Sequence, residues 1–220
     1  MSRMARLVVP GYPHHVTQRG IRGYKTFFSP LDYMTYLQLL KESNETANVS
    51  ILAYCLMPNH VHLILVPGAC NALAKLLRKA HSQYALRLNG ARGWKGHLWQ
   101  ERFFSTVMDE SHALAALRYV ELNPVRAGLC SKAEEWPWSS VHANLGNSHN
   151  EIVDVEAAHA LVPDWREFLG EKSPAAIQDA LRKSTRTGRP AGDAGFIEKL
   201  ERETGKSIRT KRQSWRSPAE

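Results

Sequence analysis

Apolar positions change period several times along the chain, and each change marks an element. Residues 14–19, HHVTQR, alternate well enough for a first strand, and Gly20 and Gly23 then mark a turn. Ser29 and Pro30 open a helix, the serine as N-cap and the proline at the first helical position. It runs to about Ala47, with Tyr33, Tyr36, Leu37 and Leu40 on one face. Two strands, 50–56 and 59–66, are broken at Met57-Pro58-Asn59, a break short enough for a hairpin. A second helix over about 71–89 turns Leu73, Leu76, Leu77, Ala80, Tyr84 and Leu88 inward. Its other side carries Lys75, Arg78, Lys79 and Arg87, and Gly90 and Gly93 end it. A strand at about 98–107 precedes a helix at about 111–123 that Pro124 stops. The order is β-α-β-β-α-β-α. Its first six elements predict an α+β, ferredoxin-like split βαβ unit: a four-stranded antiparallel sheet with helices on one face.

Beyond Gly128 the stretch EEWPWSSVHANLG reads as an aromatic loop, and 151–170 as a short helical addition. Residues 1–146 are expected to form the main domain, 147–181 a helical extension and 182–220 a basic tail. Gly188-Arg189-Pro190 is a breaker within that basic stretch.

Composition narrows the class. With 43% hydrophobic residues in 220, the chain can bury a real core. No apolar run reaches membrane-spanning length, and the N-terminal MSRMARLVVPGYP does not read as a signal peptide. Cys55, Cys70 and Cys130 are odd in number and far apart, which argues against a disulfide framework and a cysteine zinc site. A cytoplasmic protein is the expectation. The net charge of +8 is uneven: residues 182–220 hold 11 Lys+Arg against 5 Asp+Glu, a net of +6. A basic tail points to a polyanion such as nucleic acid, or to no more than a solvated terminus.

The chemistry concentrates in two places. In YCLMPNHVHLILVP, a strand sets His60 and His62 on one side, which makes half of a divalent metal site. In ALAALRYVELNPVRAG, helical spacing sets Tyr119, Asn123 and Arg126 on one stripe, with Pro124 distorting its end. Together they offer two neutral imidazoles, an amide oxygen for a hard cation, a phenol nucleophile and a guanidinium suited to phosphate. Those are the ingredients of metal-assisted attack by tyrosine on a phosphodiester. A phenol with an ordinary pKa of ~10 needs help to ionise at neutral pH. Taken singly, each residue has a plainer reading. A His-x-His pair can be structural, a helical tyrosine can be core, Asn123 can be a helix end and Asn59 a turn residue. His14 and His15 could be ligands or surface positions.

The runs MPNHVHLIL, RKAHSQYALRLN, GHLWQERFFSTVMD, ALRYVELNPVRAGL and EEWPWSS occur in one order and spacing. Over roughly residues 5–146 the chain thereby resembles the REP-associated tyrosine transposases, relatives of the single-strand insertion-sequence transposases in the HUH endonuclease superfamily. The resemblance implies the ferredoxin-like fold, and His60 and His62 as ligands of Mg²⁺ or Mn²⁺. It implies Asn123 as the polar third ligand and Tyr119 as the nucleophile. The implied partner is single-stranded or hairpin DNA at palindromic repeats, with a tetranucleotide at the hairpin foot. Relatives read that tetranucleotide partly with the N-terminal segment, here roughly Arg6 to Arg22. Candidate DNA contacts are Arg3, Arg6, Arg19, Arg22, Arg78, Lys79 and Arg126, and Trp94, Trp99, Trp136 and Trp138 could stack on unpaired bases. For Trp136 and Trp138 core packing is the stronger expectation. A monomer is favoured over a homodimer.

Three other readings stay open: a silent hairpin-binding module, a hydrolytic metal nuclease without a covalent step, and RNA binding on the sheet. The aromatic signature of the last is missing.

Overall fold

The computed structural model describes residues 6–171 and 187–208. One antiparallel sheet holds β1 (His14–Arg19), β2 (Val49–Met57), β3 (His60–Pro67) and β4 (Phe104–Val107), in the order β2-β3-β1-β4. Helix α1 (Pro30–Asn44) links β1 to β2, and α2 (Ala72–Arg92) links β3 to β4. This is the ferredoxin-like topology that the hydrophobic pattern predicts.

Local chemistry sets the boundaries. Asp32 accepts backbone N–H bonds from Phe28 and Ser29 at 2.8 and 2.9 Å, so α1 begins with a capping box and Pro30 behind Ser29. Gly93, at φ +64°, closes α2 in the left-handed region, and Trp94 N–H donates back to Asn89 O at 2.8 Å. Gly90 does not end that helix, as its sequence suggests, but lies inside it. Strand β4 is four residues long rather than the expected ten. Leu98 and Trp99 face the core beneath the loop after β1, and Trp99 makes only an isolated bridge to Gly20. Apolar side chains there serve a loop, not a ladder.

The period of two on β3 separates two cores. Val61, Leu63 and Leu65 enter one core with α1 and α2, alongside Val16 of β1 and Tyr36, Leu73, Leu76 and Tyr84. Ile64 enters the other, with Ala53, Cys55 and Met57 of β2 and Ala113, Leu117 and Val120 of α3 (Glu110–Glu121). His60 and His62 share the phase of Ile64 and therefore face α3. Asp109 caps α3 by accepting from His112 N–H at 2.9 Å.

Leu122 leaves helical geometry, and a short turn, α4 (Asn123–Arg126), starts again with Pro124 in its first turn, where a missing N–H costs nothing. Pro124 thus redirects the chain instead of simply ending it. The segment continues through α5 (Val141–Asn144), α6 (Val155–Leu161) and α7 (Trp165–Gly170). Ala158, Val162 and Trp165 complete the core under α3. Residues 187–208, within the stretch expected as a basic tail, carry a docked helix, α8 (Ala194–Thr204). Its Leu200 and the following Ile208 bury against Leu7, Val9 and Val107, with Phe196 and Ile197 beside them. That apolar stripe on a charged segment is what docks it. Among the described residues no helix is long and apolar enough to cross a membrane.

Candidate active site

Cross-strand register assembles the site on the α3 side of the sheet. Arg19 pairs with His60, Thr17 with His62 and His15 with Ile64, so these side chains share one face. The imidazoles form a relay. His60 Nε2 lies 3.0 Å from His62 Nε2, and His62 Nδ1 lies 2.9 Å from His15 Nε2. Asn59 fixes one end. Its Nδ2 donates to Gly23 O at 3.1 Å, so its Oδ1 accepts the Nδ1 proton of His60 at 2.6 Å. His60 Nε2 then carries a lone pair toward His62. Whether His62 Nε2 also presents a lone pair depends on the His15–His62 contact. If His62 Nδ1–H donates to His15, two lone pairs converge on one point.

Burial keeps the rings neutral. The His60 and His15 pKa values are lowered to about 4, first by burial, and then by Arg19 beside His60 and by His60 beside His15. His62 is pushed well below its ordinary value by burial, and then by His60, His15 and Arg126. Neutral rings are the form that binds metal. Two ligands at right angles, each ~2.1 Å from an octahedral cation, stand ~3.0 Å apart. The Nε2 pair has that spacing, so these residues fit a divalent cation. Among the described residues no cluster of three imidazole, thiol or carboxylate groups completes such a shell. Asn123, the third ligand expected from the sequence, is buried one turn beyond Tyr119 at the start of α4.

Tyr119 closes the arrangement. Its ring centroid lies 5.6 Å from that of His62 and 6.2 Å from that of His15, edge to face, and the residue stays partly exposed. The α4 turn brings the Arg126 guanidinium to 4.1 Å from the Tyr119 ring centroid. Arg19 and Arg126 therefore flank the imidazoles with positive charge. Glu121, two residues on, faces away into the protein. It accepts from Ser140 Oγ at 2.5 Å and Asn144 Nδ2 at 2.8 Å, and burial pushes its carboxyl up to about 8.

The other candidates scatter. Arg6 and Arg78 line a cleft of about 640 Å³ with Lys75, Arg102 and Gln18, on the α2 side of the molecule. Lys79 donates to Glu42 O at 3.3 Å, at the end of α1. Arg22 sits exposed in the loop after β1 at φ +54°. Arg3 lies outside the described residues. Trp138 stacks on Tyr33 at 4.6 Å, Trp136 Nε1 donates to Leu56 O, and Trp99 Nε1 donates to His81 O. Trp94 alone of these four tryptophans is exposed. His14 is fully engaged, donating from Nδ1 to Tyr12 O at 2.7 Å and accepting from Val9 N–H at 3.2 Å.

One contributor is not recognisable in the sequence: Asn59 reads as a turn residue, yet it orients His60. His15, a possible ligand or surface position by its sequence, meets His62 through the strand register.

A family model described as "Transposase IS200 like" matches residues 12–123, which holds the whole cluster from His15 to Asn123. A Haemophilus influenzae protein described as a REP-associated tyrosine transposase is 25% identical over 126 residues, covering 52% of this chain and 72% of its own. A solved structure of a REP-associated tyrosine transposase bound to a REP hairpin shares 20% identity with a TM-score of 0.57. That match covers 70% of this chain and 94% of the other. A Deinococcus radiodurans protein described as a transposase matches at 17% identity and a TM-score of 0.39, over 55% of this chain and 96% of its own.

Proposed function

The chain belongs to the IS200-like transposase family, and from that premise we propose that it cuts and rejoins single-stranded or hairpin DNA at palindromic repeats through a covalent 5′-phosphotyrosine. The observation that carries this reading is the packing of Tyr119 against a neutral imidazole pair whose Nε2 atoms stand 3.0 Å apart. The hairpin held by the solved relative supports the choice of substrate.

In this reading the Tyr119 oxygen attacks phosphorus. An O–P bond forms to tyrosine, and the bond from phosphorus to the 3′ oxygen breaks. The phenolic proton passes to water, and the departing 3′ oxygen takes one up as it becomes a hydroxyl. His60, His62 and Asn123 would hold Mg²⁺ or Mn²⁺, which when bound supplies charge to neutralise a non-bridging oxygen. Arg19 and Arg126 hold the phosphate by charge-assisted hydrogen bonds, and Arg126 also holds the Tyr119 ring. His15 and Asn59 fix the orientation of the two rings. Attack by the freed 3′-hydroxyl on the phosphotyrosine reverses the step, so rejoining needs no nucleotide. Action as a monomer is part of the same reading.

The test is adduct formation. A labelled hairpin with unpaired flanks should become covalently attached to wild type when Mg²⁺ or Mn²⁺ is added, and Tyr119→Phe should bind the hairpin yet give no adduct. Cleavage that persists in Tyr119→Phe would mean hydrolysis. Binding without any adduct in wild type would mean a silent module.

A further inference from the structure

Glu121 is fully buried, and burying a carboxyl costs stability that an apolar side chain in its place would not. Its Oε1 accepts from Ser140 Oγ at 2.5 Å and from Asn144 Nδ2 at 2.8 Å, while Oε2 has no partner among the described residues. Stability alone does not account for such a group at the end of the helix that carries Tyr119.

Both donors are themselves pinned to β2. Ser140 Oγ accepts from Tyr54 N–H at 2.8 Å, and Ser140 N–H donates to Tyr54 O at 2.9 Å. The hydroxyl proton goes to the carboxyl, the nearer acceptor, since Tyr54 O is 3.2 Å away. Asn144 Nδ2 also donates to Leu52 O at 3.3 Å. Across the sheet Tyr54 pairs with Leu63 and Cys55 with His62, so the carboxyl is referenced to the strand pair that holds the imidazole. Leu56 N–H donates to Trp138 O at 2.9 Å, and Trp136 Nε1 donates to Leu56 O at 3.1 Å. The run EEWPWSS thus lies stitched along β2 and presents Ser140 to the helix.

Residues two apart on an α-helix stand ~200° apart about its axis, so Glu121 grips one side of α3 while Tyr119 shows another to the imidazoles. Apolar contacts of Ala113, Leu117 and Val120 set how close helix and sheet come. Hydrogen bonds are directional, and they set rotation and height. We propose that Glu121 is a positioning residue for the phosphotyrosine step. Held by Ser140 and Asn144, it fixes the rotation of α3 so that the Tyr119 hydroxyl is aligned for attack. The proposal rests on the function proposed above and gives the EEWPWSS run a part in it.

Single-turnover adduct formation at saturating hairpin and Mn²⁺, scored per folded molecule, tests it in Ser140→Ala, Glu121→Gln and Leu63→Ala. Ser140→Ala should lower the rate constant at least ~10-fold, toward the ~10²-fold that a misplacement of ~1 Å costs, with hairpin Kd held within about twofold. Glu121→Gln keeps an oxygen acceptor for both donors and should retain most of the rate. Leu63→Ala, destabilised in the other core, should match wild type. A second readout needs no chemistry: fluorine NMR of protein labelled with 3-fluorotyrosine. The Tyr119 resonance, identified by its loss in labelled Tyr119→Phe, should shift in Ser140→Ala and stay in place in Leu63→Ala. A wild-type rate and resonance in Ser140→Ala, or equal rate losses in Ser140→Ala and Leu63→Ala, would overturn the positioning role. A wild type that gives no adduct would instead sink the phosphotyrosine reading, while the resonance still reports the alignment of Tyr119.

Discussion

The two faces of the sheet do different work with the same strand. Odd positions of β3 go into a dry core with α1 and α2, where Leu63 and Leu65 are fully buried. Even positions point toward α3 and place His62 against Tyr119, with His60 beside His62. The first face gains stability mainly from burial, with a few hydrogen bonds such as Tyr36–His81 inside it. The second holds imidazoles in surroundings that disfavour their protonation, and a carboxyl that stays neutral at pH 7. One strand therefore sets stability and chemistry apart by alternation, while buried histidines lie on both of its sides, His81 among them in the α1/α2 core.

That contrast can be broken in graded steps. The largest effect is expected from Tyr119→Phe. It should abolish the covalent adduct, at least ~10³-fold as judged by single-turnover gel assays, with hairpin affinity and melting temperature nearly unchanged.

Acid comes next. His15 and His60 have folded pKa values lowered to about 4 from an ordinary 6.5, as does His14, and His81 is lowered to about 3. A lowered imidazole pKa means that the unfolded chain binds protons between 6.5 and about 4 while the folded chain does not. Stability from these groups is complete above pH 6.5 and drains away as pH falls toward 4. Glu121 runs the other way: its raised value favours the fold at low pH, and that advantage is lost as pH rises from 4.5 to about 8. Each imidazole is worth on the order of 1–2 kcal/mol between pH 7 and pH 5, and they outnumber the one carboxyl. Urea titrations of metal-free protein should therefore give lower stability at pH 5 than at pH 7, by several kcal/mol.

Leu63→Ala should cost about 3 kcal/mol in the same titrations through the cavity it leaves in the α1/α2 core. Adduct yield per folded molecule should hold near that of wild type. If adduct chemistry fell in step with stability, the two faces would not be separable. The smallest effect is expected from Glu121→Gln. It removes a carboxyl whose contribution to stability falls with rising pH, so the variant should gain on wild type by about 2 kcal/mol from pH 6 to pH 8 and lose more steeply in acid.

Much of this was legible in the sequence, because alternation and helical spacing are local. The phase of His60 and His62, the inward face of α2 and the four-stranded antiparallel sheet all followed from them. What was hidden depended on contacts between distant segments. His15 meets His62 only once β1 and β3 are in register. The spacing of Tyr119 and Arg126 did put them on one stripe, but the new turn that Pro124 starts, and that carries Arg126 to the ring, reads in the sequence as a stop. Leu98 and Trp99 have strand-like composition but fill space under a loop. The apolar stripe of α8 sits in a charged segment whose net charge suggested solvation, and its partner is the β1 end of the molecule, far away in sequence.

Asn59 uses one side chain for two duties: its nitrogen grips the loop at Gly23 and its oxygen steadies the His60 ring. The carboxamide is planar, so neither grip can rotate without the other. The device is a mechanical interlock. Moving the loop at Gly23 therefore turns the His60 ring, and fixing the loop fixes the ring.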